Sequence, residues 1–309
     1  MKKVLITGAN SYIGTNFEKY VADHYPSDLV TDTIDMIGGS WRQTDFSGYD
    51  IVFHVAGIAH SDVGKADEAT IMKYYAINTD LAIETATKAK REGVNQFVFM
   101  SSAIIYGDSA PYGKKRRITK ETEASPSNFY GDSKWQADKG VRALASDCQA
   151  SESQSANVPN PFTVTVLRPP MIYGKGSKGN YPILSRMAKK LPVFPDVQNE
   201  RSMLYIDNLC EFLCQVMIKG EGGIFWPQNS EYTRTTEMVK MISDVSLHKI
   251  KVTKALNWAV AIASHIPGKI SGLTNKAFGN LSYDMDMSCY DFEYQLIDFK
   301  RSIERTEQS

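Results

Sequence analysis

Lys3-Val4-Leu5-Ile6-Thr7-Gly8-Ala9-Asn10-Ser11-Tyr12-Ile13-Gly14 is the stretch that decides the fold. Its first residues form a short apolar run that stops at Thr7-Gly8, which reads as a buried strand entering a glycine turn. Tyr12 to His24 then carries a helical pattern, with Ser11 in position to cap it. Glycine lets a backbone approach a pyrophosphate, and the helix N-terminus behind it favours the negative charge. Gly8, Asn10, Ser11, Tyr12, Ile13 and Gly14 are therefore candidates to hold a dinucleotide. Asp35 ends the next apolar run, 21 residues after Gly14. An acid there can accept hydrogen bonds from an adenosine ribose, which favours NAD over NADP. Trp41 and Arg42 lie just beyond, so NADP stays open.

Outward from this turn, strands and helices alternate. Residues 28–35, 50–56, 96–101 and 162–167 read as strands; 68–92 and 128–148 read as helices. The alternation predicts an α/β protein with a Rossmann-type, doubly wound parallel sheet. The polar, proline-containing 151–161 segment reads as a surface loop. Past Gly174 the elements shorten and the alternation stops, with helices expected over 182–190, 207–219 and 235–246. We expect a dinucleotide-binding domain over 1–174, with segments near 200–219 returning to it, and a smaller irregular α/β lobe over 175–309.

Lys plus Arg and Asp plus Glu are 35 each in the 309 residues, so no overall pull toward nucleic acid or an anionic membrane is expected. The four cysteines, Cys148, Cys210, Cys214 and Cys289, are scattered and suit a reducing, cytoplasmic setting. Cys210 and Cys214 share a helical face but read as core residues, and no metal site is expected. The apolar run at the N-terminus is too short for a signal peptide. Ala255 to Ile266 is apolar and carries Trp258, but it is too short to cross a bilayer. It reads as a buried helix, with contact at a membrane surface as the lesser alternative.

Tyr130-Gly131-Asp132-Ser133-Lys134 places a phenol and an amine on one helical face. A free phenol titrates near ~10, and a fixed ammonium beside it favours the phenolate. Such a pair can move the proton of a sugar hydroxyl while a cofactor moves the hydride. Ser102 follows a strand, at the end where ligands of parallel sheets bind. It is suited to hold a sugar oxygen and the tyrosine proton.

In chain order come the glycine turn, His54-Val55-Ala56-Gly57, Asn78, Ser101-Ser102 with Ile105-Tyr106-Gly107, and Tyr130 with Lys134. Arg168-Pro169-Pro170-Met171-Ile172-Tyr173-Gly174 and Arg201 with Tyr205-Ile206-Asp207 follow. Together they resemble the extended short-chain dehydrogenases/reductases of the NAD-dependent epimerase/dehydratase family, which act on nucleotide sugars. The resemblance implies Ser102, Tyr130 and Lys134 as the catalytic set. It implies Gly8, Gly14, Asp35, Ala56, Gly57 and Asn78 around NAD, and Ser102, Ala103, Tyr130, Asn180 and Arg201 around a UDP-linked sugar. A homodimer through the helices that begin near Glu68 and Asn128 carries over by resemblance as well.

Two positions depart from the pattern. Ser11 replaces the middle glycine, and Met171 stands where galactose epimerases carry Asn. The Arg-Pro-Pro-Met run, Ala59-His60 and the tail from Tyr290 look most like bacterial polysaccharide enzymes. The 4,6-dehydratases need an acid and a base directly after the Ser or Thr; here these positions are Ala103 and Ile104, so elimination is not expected. Redox at C4 remains. The subgroup resemblance leans to a 4-ketoreductase for a 4-keto-6-deoxy-N-acetylhexosamine, with a UDP-sugar 4-epimerase as the alternative and a dinucleotide-sensing protein as a remote one. Among other features, His54 reads as a core residue and His60 as a residue near the cofactor. Lys114-Lys115-Arg116-Arg117 reads as a solvated loop, and Asp207 as a helix cap.

Overall fold

The computed structural model describes residues 1–59, 66–150, 161–266 and 268–308. His60, the loop over 151–160 and the side chain of Cys148 lie outside the described residues. The chain forms two compact units. The first comprises Met1–Ile105, Ala124–Pro169 and Leu209–Trp226; the second comprises Tyr106–Glu123, Pro170–Asn208 and Pro227–Ser309. Residues 106–123 and 170–174, expected in the first domain, thus belong to the second unit, and only 209–226 returns to the first.

Numbered along the chain, the first unit holds β1 (Lys2–Thr7), β2 (Leu29–Ile34), β3 (Ile51–His54), β4 (Gln96–Met100), β6 (Thr163–Leu167) and β10 (Gly223–Phe225). They form one sheet in the order β10-β6-β4-β3-β1-β2, and every pairing is parallel. From β1 the chain first builds β2 on one side, then crosses to lay β3 on the other. The order therefore reverses between β1 and β3, where Thr7 pairs with His54. A crevice opens at such a switch point, at the carboxyl ends of the strands.

The strands read as continuous apolar runs because both sheet faces are covered. On one face Leu5, Val52, Phe97, Phe99 and Val166 pack with Ala82, Ala86 and Ala89 of α3 (Leu81–Arg91) and with Ala137 and Val141 of α4 (Phe129–Ala150). The alanines let both helices approach closely; a Cβ on Gly140 of α4 would collide with Ile83 of α3. Elsewhere in the unit, Phe17 of α1 (Tyr12–His24) meets Phe53 edge to face, and α6 (Ile206–Lys219) buries Leu209, Cys210, Phe212, Leu213 and Cys214. The helix expected over 68–92 is instead α2 (Glu68–Tyr75), one π turn (Ala76–Asp80) and α3.

The second unit pairs its short strands in parallel: β5 (Arg117–Ile118) with β12 (Ser282–Tyr283), β7 (Met171–Tyr173) with β9 (Met203–Tyr205), and β8 (Val193–Pro195) with β11 (Lys251–Thr253). Its helices are α5 (Asn180–Lys190), α7 (Thr235–Val245), α8 (Asn257–His265), α9 (Lys269–Phe278) and α10 (Phe299–Glu307). Buried Tyr173 stacks on Tyr181 and shares a 2.6 Å hydrogen bond with Ser302. Asp207 does not cap α6: it sits inside the first turn and accepts Arg305 Nη1 at 3.1 Å. Nor is the α8 segment buried, since Trp258 is 65% and Ile262 56% exposed.

Candidate active site

At the switch point, Gly8 has φ +114°, and a Cβ built there would lie 2.9 Å from the Ala56 nitrogen. Only glycine allows that approach without strain. Asn10 adopts φ 60°, a left-handed conformation asparagine tolerates. Ser11, in place of the expected glycine, spends its hydroxyl on the helix: Oγ accepts Gly14 N at 3.1 Å. Tyr12 and Ile13 open α1 behind it. The geometry is that of a turn and helix N-terminus able to receive a pyrophosphate.

Asp35 follows β2, is exposed, and accepts Ile37 N at 2.9 Å through Oδ1. Arg42 lies over the Trp41 ring at 4.7 Å. It donates through both Nε and Nη2 to the carboxylate of Glu84, the latter at 2.6 Å. The cation nearest in sequence to Asp35 is therefore committed to an acid of α3.

After β3, Ala56 and Gly57 run over the π turn. Asn78 Oδ1 accepts Ile58 N at 2.9 Å, while its Nδ2 donates to Ile58 O and to Ser133 Oγ, both at 3.1 Å. Thr79 Oγ1 donates to Ser133 O at 2.7 Å, and Ser133 Oγ donates to Tyr130 O at 2.9 Å. The π turn thus ties the loop after β3 to the first turns of α4. A π turn inside a helix frequently marks a functional site. The sequence pattern carries no sign of it, because the apolar spacing on either side stays helical. Ser133 stands inside the Tyr130-to-Lys134 stretch, and its spacing carries no sign of these partners either.

Tyr130 and Lys134 meet the end of β4. Lys134 is 8% exposed and donates to the carbonyl of Met100 at 3.0 Å. Burial lowers its ammonium to about 8. A Cβ on Gly57 would lie 3.3 Å from Lys134 Nζ and 3.1 Å from Asn78 Oδ1, so the missing side chain leaves a cradle there. Burial is also the main influence on Tyr130, pushing its phenol up to about 12; Tyr74 adds to this and a hydrogen bond from Ser102 opposes it. The phenol is therefore shifted up, and not down as a phenol–ammonium pair alone predicts. The Tyr74 ring stands edge-on to Tyr130 at 5.8 Å. Ser102 Oγ accepts Ile104 N at 3.3 Å, and Ala103 N donates to Pro169 O at 2.9 Å. Gly131 lets α4 start against Ile104, whose carbonyl would lie 2.9 Å from an added Cβ. Ser102, Tyr130 and Lys134 are thus brought together within one unit, beside the glycine turn.

These features coincide with a known pattern. The profile of the NAD dependent epimerase/dehydratase family matches residues 4–225.

The chain belongs to that family.

The UDP-glucose 4-epimerase of Vibrio cholerae is 27% identical over 305 residues, which span 92% of this chain and 88% of the relative. The N-acetyl-alpha-D-glucosaminyl-diphospho-ditrans,octacis-undecaprenol 4-epimerase of Escherichia coli O157:H7 is 26% identical over 225 residues, 68% of this chain and 61% of that protein. The crystal structure of the UDP-glucuronic acid 4-epimerase of Bacillus cereus in complex with NAD shares the fold, with a TM-score of 0.70 at 15% identity over 98% of this chain and 96% of that one.

The second unit holds the other two candidates. Asn180 is the first residue of α5. Arg201 is 8% exposed, donates through Nη1 to Gly279 O at 3.1 Å, and is held by backbone hydrogen bonds to Thr233. Burial lowers its guanidinium to about 10, and among the described residues no carboxylate pairs with it. Of the basic run, Arg117 pairs with Glu200 at 2.9 Å and Arg116 donates to Asp108 O at 2.6 Å. Cys210 and Cys214 are core residues, as read. His54 is buried between Phe97 and Phe99, with Nδ1 2.8 Å from Thr7 Oγ1.

Proposed function

We propose that this protein interconverts hydroxyl and ketone at C4 of a diphosphate-linked hexose, as a 4-epimerase using NAD. The observation that carries this reading is the grouping of Ser102, Tyr130 and Lys134 at the end of β4. The residues fit a dinucleotide: the tight turn at Gly8, the capped helix start at Gly14, the cradle at Gly57 and the ammonium of Lys134 beside it lie in one unit. A bound nicotinamide supplies the hydride acceptor and, on the return, its donor.

The protein's own work is proton transfer and positioning. Ser102 hydrogen-bonds the phenol and is placed to hold the sugar oxygen. Tyr130 takes the C4 hydroxyl proton as the C4–H hydride departs, and returns it when the ketone is reduced. Its raised value makes the neutral phenol the resting form, which suits the acid half of the cycle. The base half needs positive charge nearby, and Lys134 supplies it below about 8. Lys134 is oriented by the Met100 carbonyl. Asp35, with Arg42 occupied by Glu84, supports an unphosphorylated adenosine ribose and hence NAD. Arg201, buried without a carboxylate, is suited to a diphosphate. Asn180 at the start of α5 is proposed beside it. Ala103 and Ile104 can move no proton, which disfavours dehydration.

Epimerisation is placed first because the likeness to a UDP-glucose 4-epimerase runs through nearly the whole length of both chains. The 4-ketoreductase favoured from sequence is the second reading, supported by Met171 in place of the asparagine of galactose epimerases. Incubation with UDP-glucose or UDP-GlcNAc and no added cofactor tests the first: appearance of the C4 epimer supports it. Stoichiometric oxidation of NADH or NADPH by a 4-keto-6-deoxy UDP-sugar, with no epimer formed, would move the assignment to the second.

A further inference from the structure

We propose that α8 and α9 form a surface that docks on an anionic lipid bilayer, an interaction that goes beyond the reaction proposed above. The two helices pack on each other within the second unit. Yet they leave large apolar side chains in water: Trp258 is 65% exposed, Ile262 56%, Ile266 40%, Ile270 50% and Leu273 55%. Trp258 and Ile262 lie one turn apart on one side of α8, and Ile266 follows four residues on as its C-cap. Val260 and Ser264 between them are buried, so the helix is anchored by its other side. Contiguous exposed apolar surface of this kind marks an interaction site.

Charge identifies the occupant. From Val245 to Tyr283 the chain carries five lysines, two histidines and not one Asp or Glu. The whole chain balances at 35 against 35, so the remainder is net negative. Lys249, Lys251 and Lys254, which precede α8, His265 at its end and Lys276 of α9 are all exposed. Exposed lysines in the same acid-free stretch as exposed aliphatic residues and a tryptophan match the interface of an anionic bilayer: lipid headgroups pair with the ammonium groups while the apolar residues enter the acyl boundary. A nucleic acid would leave the isoleucines without partners. Neither helix can span: α8 has 9 residues and α9 has 10. The surface therefore lies on the membrane.

The test uses the full-length protein in flotation with vesicles of phosphatidylcholine alone and of phosphatidylcholine mixed with phosphatidylglycerol. Binding is expected to the mixed vesicles, about tenfold or more above the neutral ones, and to weaken with salt. The double variant Trp258→Ala/Ile262→Glu is expected to lose that binding at least about tenfold, with its circular dichroism and its turnover of a soluble nucleotide sugar unchanged. Quenching of wild-type tryptophan emission by brominated lipid, absent in Trp258→Phe, reports the same contact without a charged substitution. Wild-type protein that floats with neither vesicle overturns the proposal. A concentration-dependent dimer dispersed by the double variant, without vesicle binding, assigns the surface to a second copy and overturns it too.

Discussion

Arg168 lies across the carboxylate of Asp138, with Nε 2.9 Å from Oδ2 and Nη2 2.8 Å from Oδ1. Asp138 is fully buried and also receives Arg142 at 2.8 Å. The pair fastens the end of β6 to α4, the helix that carries Tyr130 and Lys134. Arg168→Met leaves a buried carboxylate short of its best partner and is expected to cost about 3 kcal/mol in urea unfolding. Removing both charges with Asp138→Leu/Arg168→Met should recover most of that loss, because no buried charge is then stranded. A double variant as unstable as the single one would contradict this account.

Tyr130→Phe removes the phenol proposed to carry the proton and keeps the ring against Tyr74. Turnover of the sugar is expected to fall by roughly 10²–10⁴. Dinucleotide binding and the melting temperature should stay near wild type. Unchanged turnover would remove Tyr130 from the mechanism.

Lys134 is held near 8, below the ordinary value for lysine, because burial penalises its charge. Its ammonium is present below that pH, so kcat/KM should decline on the alkaline side near 8, and Lys134→Met should abolish that limb along with most activity. Linkage gives a second readout. The unfolded chain binds the proton more tightly, so wild-type stability rises with pH between about 8 and ~10.4. At neutral pH, Lys134→Met should therefore melt higher than wild type while being nearly inactive.

His54 is lowered to about 3, mainly by burial and secondarily by the Lys134 charge. Between ~6.5 and about 3 the unfolded chain takes up a proton that the native one refuses, so stability falls as pH falls. The slope from this residue is about 1.4 kcal/mol per pH unit in that window. In His54→Asn the acid loss should be shallower by that amount; equal slopes in the two proteins would rule His54 out as the source.

Glu84→Ala frees Arg42, which the wild type holds in a paired and stacked position. Affinity for NADP relative to NAD is expected to rise about tenfold, and further when combined with Asp35→Ser. Calorimetric binding of both dinucleotides measures it. An unmoved ratio would show that Arg42 does not reach the 2′ position.

The membrane reading shows where sequence and structure part. The apolar content of Ala255 to Ile266 was visible in the chain, and a buried helix was its simplest interpretation. Whether an apolar helix faces a core or water depends on what packs against it, and only the folded chain reveals that Trp258 and Ile262 are left outside. The same holds for Tyr130: the four-residue spacing to Lys134 was plain, but the sign of its shift was not. It depends on how much water the surrounding residues displace.

By itself, the sequence determined the parallel α/β sheet, the glycine turn and the cap at Ser11, and it marked Ser102, Tyr130 and Lys134 as the candidates on which the proposal rests. Each is written in local pattern: apolar runs, a small residue where the backbone turns, side chains spaced by one helical turn. Only the tertiary structure decided the π turn that clasps Asn78 to Ile58, the commitment of Arg42 to Glu84 and the Arg168–Asp138 tie. It also decided the two-unit division, which assigns 106–123 to a different unit from the residues on either side of it in sequence. These depend on residues far apart in the chain meeting at hydrogen-bond distance, and periodicity carries no information about such partners.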